Sequence, residues 1–250
     1  MNWTACFSPR KDGKGDRPPA ASHLSASARS VMRELQEMPA IQVFLALMAD
    51  NYSLESIEEM VTILLETPSS ERAVTYLKQD PAAATMIAER YMAPPHDLDV
   101  LLDGPPDSLG YLYAQQMKAR GLKAEDLYVQ IPIMSDASYV EARLSQTHDI
   151  WHVVTGFDIS DRGEIGLQAF HLPQFPYPLA VTLLSSSLLA TLLFQSYELP
   201  QLLEIIRQGW EMGHVAKPLF AQRWEEGWDK PLTTWREELN IQPISTAIAS

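Results

Sequence analysis

Four residues in the second half of the chain, His148, Asp149, His152 and Glu164, have the types and spacing of a metal site. On a helix, residues four apart lie about 40° apart around the axis and one turn apart along it, so His148 and His152 present their imidazoles side by side. Asp149 falls about 100° from His148 and about 60° from His152, so all three border one site from a single helix. Paired imidazoles in this relation are a recurrent grip on a transition metal. Glu164 comes twelve residues after His152, and on one continuous helix it would point about 120° away. Gly156 and Asp158 interrupt that helix, and a turn into an antiparallel helix returns Glu164 to the histidines. A helix N-terminus facing the site also favours an anionic group, such as a phosphate or carboxylate, on the metal. One divalent ion is implied: two histidines with carboxylates suit Zn, Fe or Mn, and carboxylate-rich ligation equally admits Mg.

Each residue also has a plain structural reading. Histidines at i and i+4 occur together by chance on surfaces and in cores. Asp149 can serve only to orient a histidine. Glu164 stands three residues after Asp161 and completes a capping box that needs no metal. The four together, straddling a glycine-marked turn, are what point to a ligand set.

The elements that position these residues read as helices throughout. One runs from about Asp136 to Thr155, and a second starts near Ser160 or Asp161. Upstream, helical spacing covers 28–49 (interrupted near Pro39), 53–66 with Ser53 as cap, 70–79, 81–92 opened by Pro81, and 107–120 closed by Gly121. Downstream come an uncharged helix at 179–197, a long one from Pro200 to Glu226 bent at Gly209 and Gly213, and a last one ending near Leu239. The stretch YVQIPIM at 128–134 is the one weak strand candidate and reads better as an extended linker. The expectation is an all-α fold: a single helical domain of about eight or nine helices over 28–241, with the metal site on two adjoining helices. A disordered leader (1–27) precedes it and a frayed tail (242–250) follows.

Composition narrows the partners. The net charge is −13, and the basic residues of the leader leave the body more acidic still. Such a surface repels a phosphate backbone, so nucleic acid is not an expected partner. Cys6 is the one cysteine, which excludes an intrachain disulfide and a thiolate metal cage. The first thirty residues lack the continuous apolar run of a secretory signal.

The run PLAVTLLSSSLLATLLFQSY at 178–197 is nearly long enough to span a bilayer but is rich in Ser and Thr. It reads as a buried central helix, or as one wall of a lipid channel in which Ser187, Ala190 and Thr191 leave room for an acyl-like chain. Trp210, Trp224, Trp228 and Trp235 suit a core or a membrane interface. His214 is an isolated histidine, for which a structural role is the default.

HDxxH followed by eleven residues and Glu is the signature of the coenzyme Q biosynthesis protein 4 family, and this chain resembles it at His148-Asp149-Ile150-Trp151-His152 and Glu164. Trp151, Thr155-Gly156 and Gly163-Glu164-Ile165 are similar to the family's surrounding pattern, and 213–241 to its closing helices. The resemblance covers about 105–241, and more weakly from 30. Ser145 and Gln146 stand where the family often has Arg and an acid, Gln168 where it has Lys, and His171 where it has an acid. Arg143 matches a basic family position and is the expected helper for a phosphate or quinol oxygen.

The resemblance implies an all-α fold, a divalent metal on the four positions, and a role in building a polyprenylated, ubiquinone-type quinone. It implies a polyprenyl lipid or prenylated quinone intermediate as ligand, other quinone-biosynthesis proteins as partners, and peripheral contact with a membrane. The location implied is cytoplasmic, or the mitochondrial inner membrane in a eukaryote; a homo-oligomer is compatible. Two classes of function remain: a carrier or scaffold that organises biosynthetic enzymes, and a metalloenzyme of oxidative decarboxylation or hydroxylation of the ring. A helical phosphohydrolase is a third reading, for which the additional upstream His and downstream Asp are not assignable.

Overall fold

The structure, a computed structural model, describes residues 38–49, 53–122 and 131–244, together with Ser25, Ser27, Ser30 and Val31. In chain order the α-helices are α1 (Pro39–Ala49), α2 (Leu54–Leu65), α3 (Pro68–Leu77), α4 (Pro81–Glu89), α5 (Leu98–Leu102), α6 (Leu109–Ala119), α7 (Asp136–Thr155), α8 (Asp161–Gln174), α9 (Pro178–Phe194), α10 (Leu199–Val215) and α11 (Leu232–Leu239). Two 3₁₀ turns, Ser196–Glu198 and Trp224–Gly227, join the last elements. The described residues contain no named strand; the leader apart from Ser25 and Ser27, and 128–130 of the strand candidate, lie outside them.

The helix starts follow from local chemistry. Ser53, Asp80, Asp97, Ser108, Ser135 and Ser160 each accept a backbone N–H in the first turn that follows, satisfying donors the helix leaves free. The described helices outnumber the eight or nine expected because short pieces between prolines and glycines are helical too, α5 among them. The expected long helix from Pro200 to Glu226 stops at Val215. Pro218 disfavours helix in the residue before it, and Ala216 is already extended at φ −68°, ψ 145°.

Helix α7 runs through the middle of the molecule, with α3, α4, α6 and α11 packed around it and α8 returning beside it. Its far end is secured by Arg236 of α11, which donates to the Val153 and Val154 carbonyls at 3.0 and 2.9 Å. Residues 242–244 lie against the same end, where the Ile244 N–H reaches the Thr155 carbonyl at 3.4 Å.

Helices α8 and α10 pack unusually closely. A Cβ added at Gly209 would meet the Gly166 carbonyl at 2.1 Å, and one at Gly213 the Phe170 carbonyl at 2.3 Å. The two glycines read from sequence as bends are therefore contact points that let two backbones touch.

Candidate metal centre

Gly156 ends α7 in the left-handed region, at φ 81°, where glycine bears no side-chain penalty. The chain then reverses over four residues, and Ser160 caps α8 by accepting the Gly163 N–H at 3.2 Å. A side chain at Gly163 would collide with the Asp158 carbonyl at 1.9 Å, so the turn is built to close tolerance. Because Ser160 is the cap, Glu164 is not the third residue of a box with Asp161. Its carboxylate turns across to α7 instead.

There it meets both histidines. Glu164 Oε2 lies 3.2 Å from His148 Nε2, Glu164 Oε1 lies 3.2 Å from His152 Nε2, and the two Nε2 atoms are 3.2 Å apart. Bonds of about 2.0–2.1 Å to a tetrahedral ion place neighbouring ligand atoms about 3.3 Å apart, which these spacings match. His152 Nδ1 donates to the Phe157 carbonyl at 2.9 Å, leaving Nε2 with its lone pair toward Glu164. His152 and Glu164 are buried, and His148 opens partly to the surface. Glu164 Oε1 has no hydrogen-bond partner. Burial opposes charge on Glu164, but His148 and His152 outweigh it and hold the carboxyl below its usual range. Burial alone would push the His148 imidazole down; the Glu164 carboxylate reverses that and raises it. Chemistry, spacing and tautomer all fit a divalent cation.

Asp149, the fourth expected ligand, is not brought into this cluster. Its Oδ1 accepts from Arg120, just past α6, at 3.1 Å. It stands beside His148 as a nearby negative charge.

Arg143 is placed elsewhere too. It lies nine residues before His152, about half a turn round the helix, so it faces away from the site. Its guanidinium is fully buried and donates to Glu225, Gln146 and the Gln222 carbonyl. Ser187, Ala190 and Thr191 are buried in α9. These three residues line neither the recess between α10 and residues 240–244 nor the one between α2, α3 and the start of α9. His214 and Trp210 are exposed, while Trp224 and Trp235 are core.

The structure adds a row that the sequence reading did not assemble. Glu164, Gln168 and His171 occupy the face of α8 away from α10, and all three are buried. On α7 the facing row is His152, His148 and, two turns back, Glu141. Tyr177 closes the far end, donating to Glu141 Oε1 at 2.7 Å. His171 stacks on Trp151 at 4.6 Å, and burial drives its pKa down to about 3. Glu141 and His148 are seven residues apart, a spacing that could have exposed the row.

An all-helical protein whose hairpin of two helices brings together two histidines and one carboxylate that could hold a cation is the class defined so far. The family model described as coenzyme Q (ubiquinone) biosynthesis protein Coq4 matches residues 30–245, and the chain belongs to that family. A relative in Saccharomyces cerevisiae, named ubiquinone biosynthesis protein COQ4, mitochondrial, is 28% identical over 83% of this chain and 55% of its own length. A relative of the same name in Komagataella phaffii is 28% identical over 68% of this chain and 57% of its own. The chain thus spans about half the length of the curated relatives it matches. A crystal structure from Nostoc punctiforme, called a putative ubiquinone biosynthesis protein, has a TM-score of 0.74 at 34% identity, covering 80% of this chain and 96% of that one.

Proposed function

We propose that the chain is a divalent-metal protein of ubiquinone-type quinone biosynthesis that holds a polyprenylated ring intermediate by its head and presents it to other enzymes of that pathway. The metal-ready geometry of His148, His152 and Glu164 carries this reading, and the names of the relatives supply its pathway. When bound, the ion offers a positive charge for an anionic ring substituent; His152 and Glu164 hold the position, and the buried hairpin excludes water.

An apolar band supports the lipid side. Leu189, Leu192, Leu193, Phe194, Tyr197 and Leu203 are exposed together at the join of α9 and α10. No described helix is long and apolar enough to cross a membrane, so contact through this band would be peripheral. Ser187, Ala190 and Thr191 lie further inside α9 and serve this reading as packing that holds the band in place.

A second reading is favoured by the ligand set itself. Two histidines and one carboxylate leave coordination positions open, as in iron sites that use dioxygen. Oxidative decarboxylation or hydroxylation of the prenylated ring, with dioxygen as oxidant, is the reaction class that fits.

The test is metal content and bound lipid in the same preparation. Full-length protein should hold about one Zn, Fe or Mg ion, as one three-ligand site predicts, and release a prenylated aromatic lipid on extraction. His152→Ala and Glu164→Ala should each abolish the ion, while Asp149→Asn should keep it. An unchanged metal content in the double variant would sink the site. Loss of carbon dioxide from a prenylated hydroxybenzoate under air, with iron loaded, would establish the enzyme reading.

A further inference from the structure

We propose that Arg120 is a positioning residue for the metal centre: by holding Asp149 aside, it keeps one coordination position of the ion open to a small ligand. This rests on the metal reading above and deepens it, by naming the side chain that decides whether the site is closed or open.

The cluster stops one ligand short of a full set. His148, His152 and Glu164 offer three ligand atoms within 4.8 Å of one another. A tetrahedral ion takes four, and a fourth from the protein closes the site, whereas a fourth from solvent leaves it open to exchange. Asp149 is placed to be that fourth. It directly follows His148, lies about 60° from His152 around the helix, and its charge acts on the His148 imidazole.

What restrains it comes from another helix. Arg120 follows the last turn of α6, where its own N–H bonds back to the Met117 and Lys118 carbonyls. Ala114 and Met117 of that helix are fully buried, so the backbone that carries Arg120 is anchored. The side chain crosses to α7, where Nη1 donates to Asp149 Oδ1 at 3.1 Å. The two side chains are only 15% and 11% exposed, and a charge left there without its partner is costly. Arg120 Nη2 is buried with no hydrogen-bond partner, so the bond to Asp149 is what holds the guanidinium in this place. A cation beside a cation site weakens metal binding by itself, and the Arg120 charge does reach His148. Keeping the Asp149 carboxylate off the ion is what this placement accomplishes. The His148 side chain is 27% exposed, so the open position is reachable by a small solute.

The experiment uses the full chain loaded with Co(II), whose visible spectrum reports its ligand shell, and azide as the probe. Wild type should show a saturable change in the cobalt bands as azide replaces water at the open position. Arg120→Met should release Asp149 onto the ion. Zinc affinity, read by competition with a chelator, should then rise about 10- to 100-fold, the range that partners of metal ligands command, and the azide response should be lost. Arg120→Lys should behave as wild type, and Arg120→Met combined with Asp149→Asn should regain the azide response. If Arg120→Met does not fold, Arg120→Gln takes its place with the same direction expected. A single variant with the azide response and zinc affinity of wild type overturns the proposal. So does a loss that Asp149→Asn fails to restore, since Arg120 would then act on the azide itself. Cobalt bound in wild type with no azide response overturns the open position and leaves the metal reading standing. If wild type binds neither zinc nor cobalt, the metal reading fails and the proposal with it.

Discussion

The Phe157 carbonyl accepts a hydrogen bond from His152 Nδ1 at 2.9 Å, across the glycine that ends α7. One turn of chain thus sets both the tautomer of a candidate ligand and the direction in which the second ligand helix returns.

Gly156 is the residue on which that bond depends. Its φ of 81° and the 3.1 Å approach of a would-be Cβ to Pro243 leave no easy place for a side chain. Gly156→Ala should cost about 1 kcal/mol of stability from the left-handed backbone alone. Because the Phe157 carbonyl shifts with it, zinc affinity should fall about 10- to 100-fold with every ligand still present. Competition with a zinc chelator reads this directly; an unchanged affinity would show that the turn does not tune the site.

Arg143 should prove structural. It fills a buried network with Glu225, whose carboxyl the Arg143 charge and the His96 and Arg143 hydrogen bonds hold low against its burial. Arg143→Met leaves that buried carboxylate with only His96 beside it, which costs about 3–5 kcal/mol. Adding Glu225→Gln should recover part of the loss, and neither change should alter metal stoichiometry. Urea unfolding of the single and double variants decides it; a stable Arg143→Met that loses ligand would restore the headgroup role.

Two buried groups should pull the pH dependence of apo-protein stability in opposite directions. The folded state refuses a proton at His171 until about pH 3, whereas the unfolded imidazole accepts one below about 6.5. Acidification through that window therefore destabilises. Glu141 does the reverse: the folded state takes its proton near pH 7, the unfolded state near 4.5. Acidification between those values stabilises. Glu141→Gln should make stability fall more steeply from pH 7 to 4.5, and His171→Phe should make it fall less or rise. Denaturation midpoints in chelator across that range give both slopes, and equal slopes in the two variants would contradict the assignment.

The helices, the hairpin and the meeting of His148, His152 and Glu164 were legible because each rests on local rules. Serine and aspartate caps, glycine at the turn and the i, i+4 spacing act within a few residues. Asp149 was grouped with them because its helical angle allowed it, while its partner, Arg120, follows the end of α6, which no local pattern brings near. Arg143 was misjudged from family position alone, although its own angle to His152 argued against it. Pro218 was the missed stop signal for α10. The Glu141–Tyr177 contact joins residues 36 apart, and Tyr177 stands in the turn between α8 and α9, so the return of α8 beside α7 is what brings it there.

Gly209 and Gly213 bring α10 hard against α8, so the two form one closely packed pair, and Glu164 belongs to it. His148 and His152 belong instead to α7 and the helices around it. An ion on these three residues would therefore tie the α8–α10 pair to α7 by a second link, beside the covalent one through residues 156–160. Loading the site would then also fix the spacing of α7 and α8 along the row that ends at Glu141.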